Sequence, residues 1–182
     1  TSGLELAHQL NDIESEANTC LSLGNVALDQ GLHAEADAHY TRSLELSESI
    51  SDTLGYAYAL DNLGVSAWHR GDLDLASRLA DEVMELYQQL NIESGKANVW
   101  HRRCLVALVR GRLEEAEDMG MRALRVRTAQ GEDRGGAFVL YDLARVALAR
   151  GQVEVARGRL RQGMQLALPH GAPVIDVLYV EG

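Results

Sequence analysis

The chain is 182 residues long, with 27 acidic and 17 basic side chains and a net charge of −10. An acid excess of this size argues against direct binding of nucleic acid, where affinity comes mainly from neutralising phosphates. No apolar run approaches the roughly 18 residues of a membrane span, and only 2 prolines and 5% aromatics in a 46% hydrophobic chain favour helix over strand.

In chain order, residues 4–10 repeat the pattern of residues 44–50, so the chain is expected to open on a half repeat over 1–10. Four full units follow, at about 13–50, 53–90, 93–130 and 133–168. Each is read as two helices, because apolar residues recur at three- and four-residue spacing. Helix A is expected at 15–30, 55–70, 95–110 and 135–150, and helix B at 34–50, 72–90, 112–130 and 152–168. Gly31, Gly71, Gly111 and Gly151 stand 40 residues apart and follow each helix A, where a left-handed residue ends a helix at little cost to glycine. Ala27, Ala67, Ala107 and Ala147 precede them, and Ala36, Ala76, Ala116 and Ala156 follow, as small residues where the two helices approach. Asp12, Asp52 and Asp133 are expected to cap the next helix A. Residues 172–182 are read as a C-terminal cap or the start of a further repeat. The whole chain is thus expected to form one solenoid domain over 1–182. It begins at Thr1 rather than Met, which leaves room for an upstream segment.

Charge is unevenly spread. Residues 1–91 carry 16 acidic and 3 basic side chains, a net −13; residues 92–182 carry 11 and 14, a net +3. The two halves therefore face solvent with different fields, either as a steering device or as drift between repeats. Cys20 and Cys104 lie in apolar helical contexts two repeats apart, as expected of buried free thiols in a reducing cytoplasm. No Gly-rich phosphate loop, paired-cysteine motif or nucleophile elbow occurs. His33 and His39 are six apart and do not share a helix face as a zinc pair would. No enzyme, cofactor or metal site is expected.

Within the repeat, Gly24, Ala36 and Tyr40 form one set of columns. Gly64 and Ala76 continue it, with Ala80 in the aromatic place; Ala116 and Ala156 follow, with Gly120 and Leu160 there. These columns resemble the tetratricopeptide repeat, although the unit is longer than that family's period of about 34 residues and lacks its terminal proline. The 40-residue form, with strings such as 23–27 and 63–67, resembles the repeat region of large bacterial signal-transducing regulators of the LuxR and antibiotic-regulator types. Similar repeats occur in eukaryotic polarity and motor adaptors. The resemblance implies an all-α fold, a right-handed α–α superhelix of about four and a half hairpins.

It also implies a concave face lined by helix A. Transferring the family's positions gives Asn18, Leu21, Ser22, Asn25 and Leu28 in the first unit, and Tyr58, Asp61, Asn62, Val65 and Trp68 in the second. The third contributes Asn98, His101, Arg102, Leu105 and Leu108, and the fourth Phe138, Tyr141, Asp142, Arg145 and Leu148. The expected partner-binding set is Asn18, Asn25, Tyr58, Asp61, Asn62, Trp68, His101, Arg102, Tyr141, Asp142 and Arg145. Arg102 and Arg145 are candidate anchors for a carboxylate. Chaperone-binding members hold a C-terminal carboxylate with Lys, Asn and Arg; Asn25 matches one such position, but Leu21 stands where the Lys is expected. The leading expectation is a module that binds a peptide or partner domain in this groove, within a bacterial regulatory or signal-transduction system. One alternative is a small-molecule sensor domain of a transcription regulator; another is a homodimer formed through the apolar solenoid ends.

Overall fold

The computed structural model describes residues 12–168. The half repeat expected at 1–10 and the cap expected at 172–182 lie outside the described residues. Within them the fold is all-α. It comprises α1 (Ile13–Asp29), α2 (His33–Ser49), α3 (Thr53–His69), α4 (Leu73–Gln89), α5 (Glu93–Val109), α6 (Leu113–Ala129), α7 (Asp133–Ala149) and α8 (Val153–Ala167), with no strand among them. Odd-numbered helices are the expected A helices and even-numbered ones the B helices, and every end lies within two residues of the expected one. Within each compact unit, consecutive helices pack as hairpins. The chain divides into two compact units, Thr1–Asn91 and Ile92–Gly182. In the first, α2 packs on α1 and α3, α3 on α4, and α1 also touches α3; in the second, α6, α7, α8 and α5 repeat these relations.

The turns explain the regularity. Gly31, Ser51, Gly71, Asn91, Gly111, Gly131 and Gly151 all have φ between 56° and 77°. The backbone therefore repeats every 20 residues, twice as often as the glycine column. At the first turn the Gly31 N–H donates to the Leu28 carbonyl and the Leu32 N–H to the Ala27 carbonyl, both at 2.9 Å. This pair of bonds satisfies carbonyls that the helix end would otherwise leave open. The same six-residue closure recurs from Asp52 to Ser47 (2.8 Å), Asp72 to Ala67 (2.9 Å) and Glu132 to Arg127 (2.9 Å).

N-caps vary more than the turns. Asp12 accepts from the Ser15 amide at 3.0 Å, Asp52 from the Leu54 and Gly55 amides at 3.1 and 3.0 Å, and Asp72 from the Leu75 amide at 3.0 Å. The Ser15 hydroxyl and amide also hold the Asp12 carboxyl below the usual carboxylate range. Asp133 is not the cap expected of it. It is the first residue of α7, and Glu132 holds the cap position without a side-chain bond to the helix. The Glu132 carboxylate instead accepts from Arg127 Nη1 at 2.7 Å.

Small residues let the helices approach, and their large partners fill the gaps. Ala27, Ala36 and Tyr40 form one cluster and Ala17, Cys20 and Leu46 another. Tyr40 lies fully buried across Gly24, where an added Cβ would stand 2.6 Å from the ring's Cδ1. Its hydroxyl donates to Asn25 Oδ1 at 2.9 Å, and burial pushes its phenol up to about 12. In the second unit the roles are redistributed. Gly120 leaves room for Leu143, whose Cδ2 would be 2.6 Å from an added Cβ, with Cys104 Sγ at 3.2 Å. Both cysteines are buried and free; burial pushes the Cys104 thiol up to about 12.

Ion pairs tie helices within each unit. Arg42 Nη2 donates to the buried Glu16 carboxylate at 2.8 Å, and Arg70 pairs with Asp37. Arg159 pairs with Glu117 and also donates to the Leu143 carbonyl at 2.8 Å. Such partly buried pairs matter chiefly because losing one partner strands the other.

Two stability experiments follow. A Cβ at Gly71 would meet nothing within 4 Å, so Gly71→Ala tests the backbone alone and should cost about 1–2 kcal/mol. Ser51→Gly relieves the same strain and should stabilise the chain by less than about 1 kcal/mol, the gain being reduced by glycine's freedom in the unfolded state. Urea midpoints at constant slope report both. Gly24→Ala should cost about 1–3 kcal/mol by overpacking against Tyr40. Combined with Tyr40→Leu, its effect should be clearly less than additive in a double-mutant cycle.

Candidate functional site

Each unit presents the outer faces of its A helices, α1 and α3 in the first and α5 and α7 in the second. The residues expected to line a groove separate by depth. The column Asn18, Tyr58, Asn98 and Phe138 is exposed throughout, with Tyr58 at 40% and Phe138 at 53%. Asn25 and Arg145 are also exposed, and Asn62, Trp68, His101 and Tyr141 are half-buried. Asp61, Arg102 and Asp142 are buried, at 7%, 6% and 7% exposure.

In the first unit, Asn18 and Tyr58 come together. They line an open cleft of about 430 Å³ with Glu14, Ile50, Asp52, Leu54 and Gly55. Asp61 supports this cleft from below. It accepts from the Tyr87 hydroxyl at 3.1 Å, and the Tyr87 ring lies 6.2 Å from that of Tyr58, tilted by 56°. Burial pushes the Tyr87 phenol well above its usual range, so it remains a donor. A second open cleft of about 310 Å³ borders the α2–α3 turn, lined by Ser47, Glu48, Ser51, Asp52, Thr53 and Tyr56. Asn25 is engaged by Tyr40.

In the second unit, Asp142 is a hub. Its Oδ2 lies 2.8 Å from His101 Nε2, and its Oδ1 accepts from Arg145 Nη1 at 2.9 Å. The Arg145 guanidinium sits 6.0 Å from the Tyr141 ring centroid, at the outer limit of cation–π contact. His101, Tyr141, Asp142 and Arg145 thus form one cluster on α5 and α7. Arg127 Nη2 donates to Asn98 Oδ1 at 2.7 Å. Arg102 is buried, and burial together with the like charge of Arg103 lowers its guanidinium to about 10.

The carboxylates of Glu14 and Asp52 and the apolar floor of Ile50 and Leu54 were not among the expected site residues. Asp52 stood out only as a helix cap, a role it also fills. Ile50 was visible only as the end of helix B, and nothing in spacing marks a residue at a helix end as part of a neighbouring cleft. Among the described residues, no group of three His, Cys, Asp or Glu side chains is placed to hold a metal ion. No helix among them is long and apolar enough to cross a membrane.

The tetratricopeptide repeat family model matches residues 15–89 and 95–168. Solved structures show the same fold. BtubC (BKLC) from P. vanneervenii is 19% identical, with a TM-score of 0.72 over 88% of this chain and 66% of that one. The apo form of RapI is 14% identical, with a TM-score of 0.78 over 93% and 63%. A kinesin light chain-like protein of Podosopora anserina with nearly identical TPR-like repeats is 16% identical, with a TM-score of 0.66 over 84% and 74%. The chain spans less than two thirds of the length of the first two. No curated protein matches the sequence. At these identities the likeness concerns fold alone, while the family match covers most of the sequence: the chain belongs to the tetratricopeptide repeat family.

Proposed function

We propose that this chain is a protein-interaction module that binds a peptide or partner domain on the faces of its A helices, as part of a bacterial regulatory system. The tetratricopeptide repeat is generally a non-catalytic scaffold for protein–protein contacts. The observation that carries the reading is the exposed column Asn18, Tyr58, Asn98 and Phe138. Leaving two large aromatic rings in water forgoes the stabilisation their burial would bring, and such rings are typical anchors of interfaces. Beside them stand oriented polar groups, Arg145 above all. The regulatory setting rests on the resemblance of residues 23–27 and 63–67 to repeats of bacterial regulators. The clefts are open to solvent, which suits an extended peptide or a projecting side chain better than an enclosed metabolite.

The proposal separates face residues from supporting ones. Tyr58→Ala, Phe138→Ala and Arg145→Ala should each weaken binding of a captured and identified partner about tenfold, with unchanged helicity and melting. Arg102→Ala and Asp142→Ala should lower thermal stability, because both side chains are buried. Calorimetric affinities equal to wild type for all three face variants would sink the proposal.

A further inference from the structure

The cleft between α1 and α3 has chemistry that specifies its occupant. Its floor is apolar, with Ile50 38% and Tyr58 40% exposed beside Leu54. Its rim carries two carboxylates, Glu14 and Asp52, and one amide, Asn18. Glu14 is exposed and has no ion pair among the described residues. Asp52 uses Oδ1 to cap α3 at the Leu54 and Gly55 amides, so those donors are already taken and the cleft is not an anion site. None of the three arginines of residues 1–91 lines it: Arg42 is engaged by Glu16, Arg70 by Asp37, and Arg78 lies on α4. The second cleft shares Asp52 and adds Glu48 and Tyr56 with no cation of its own. The surrounding residues 1–91 carry a net −13.

We infer that this cleft takes an arginine or lysine of a basic, otherwise apolar peptide segment. This rests on the reading that the A-helix faces bind a protein partner, and it names that partner's chemistry. The aliphatic stem of a basic residue lies along Ile50 and Leu54. Its charged head reaches Glu14 and Asp52, with the Tyr58 ring as a cation–π surface. Tyr58 is held in place for this by Tyr87, which Asp61 holds in turn. A preset ring lowers the ordering cost of binding. The adjoining cleft places a second acid and tyrosine within reach of a second basic residue in the same segment. The acid excess of residues 1–91 adds long-range attraction for such a segment.

The test uses a fluorescent peptide of alternating arginine and leucine, capped at both ends, read by anisotropy against the whole chain. The matched peptide of glutamate and leucine is the control. At an ionic strength of about 0.15 M, where exposed charges are screened beyond about 8 Å, the arginine peptide should bind and the glutamate peptide should not. Tyr58→Ala and Glu14→Gln should each raise its Kd about tenfold, and Tyr58→Phe should leave it unchanged. Glu85→Gln, an exposed acid on α4 that lines neither cleft, should also have no effect. Equal weakening by Glu85→Gln, or no weakening by Tyr58→Ala, would overturn the assignment in favour of diffuse charge attraction. So would self-association in sedimentation that the peptide cannot displace, which would make a second copy the occupant. A chain that captures its partner through Phe138 and Arg145 yet ignores the arginine peptide would lose this cleft assignment and keep the broader reading.

Discussion

Everything in this molecule hangs on one backbone event, the passage of a single residue through the left-handed region at each turn. Seven such residues stand 20 apart, from Gly31 to Gly151. Six of these turns close a helix with a six-residue hydrogen bond, and at all seven the next helix starts two residues after the left-handed one. Helices of 17 residues, about 25 Å long, therefore begin in the same phase each time. A constant phase means that a given column in the sequence is a given direction in space within each unit. Without it, neither the alanine columns nor the exposed column would fall on one face within a unit.

Given that phase, packing within a unit becomes a matter of shared volume rather than of fixed residues. Gly24 and Tyr40 solve the A–B contact with an empty site and a large ring. Cys104 and Gly120 occupy the equivalent places in the second unit, where Leu143 enters from the next A helix. Leu63, at the same place in the first unit, packs beside the Tyr40 ring, whereas Leu143 reaches over Gly120 where no ring stands. Interiors are dense enough that one misplaced methyl is felt, so such exchanges must occur in sets. This is why the aromatic column can read Tyr, Ala, Gly and Leu without breaking the repeat.

The same distinction sets what could be read from the sequence. Helix positions and turns were legible because periodicity and Gly31, Gly71, Gly111 and Gly151 report backbone directly. The 20-residue period was hidden because Ser51 and Asn91 fill left-handed positions without being glycine. Asp133 looked like a cap from its neighbourhood, but the turn places Glu132 there, one residue earlier. For the candidate face, the repeat phase named the column but not its depth. Asn62, Arg102 and Asp142 share one column and are half-buried, buried and buried. Depth depends on the neighbours: Asp61 is held by Tyr87 from 26 residues away, and Asp142 by His101 from 41 away. Partners at such separations leave no trace in local pattern. The Asn18–Tyr58 column stays exposed in all four A helices, although Tyr87 and Arg127 reach Tyr58 and Asn98.

That separation bears on function. A residue that only faces solvent can change without disturbing turn, phase or core, whereas Gly24 or Ala116 cannot. Recognition in such a scaffold is therefore free to vary one column at a time, and the fold itself is silent about the partner. What speaks for a partner is unspent chemistry on the free column and its borders. In the first unit that chemistry is an aromatic ring braced by Tyr87, set beside carboxylates with no cation among the described lining residues. In the second, the exposed Arg145 is already held by Asp142, and Asn98 by Arg127. A ligand there meets a guanidinium already oriented by Asp142 and gains a charge-assisted bond at the cost of sharing it. In the first unit it would supply a charge that the cleft's described lining lacks.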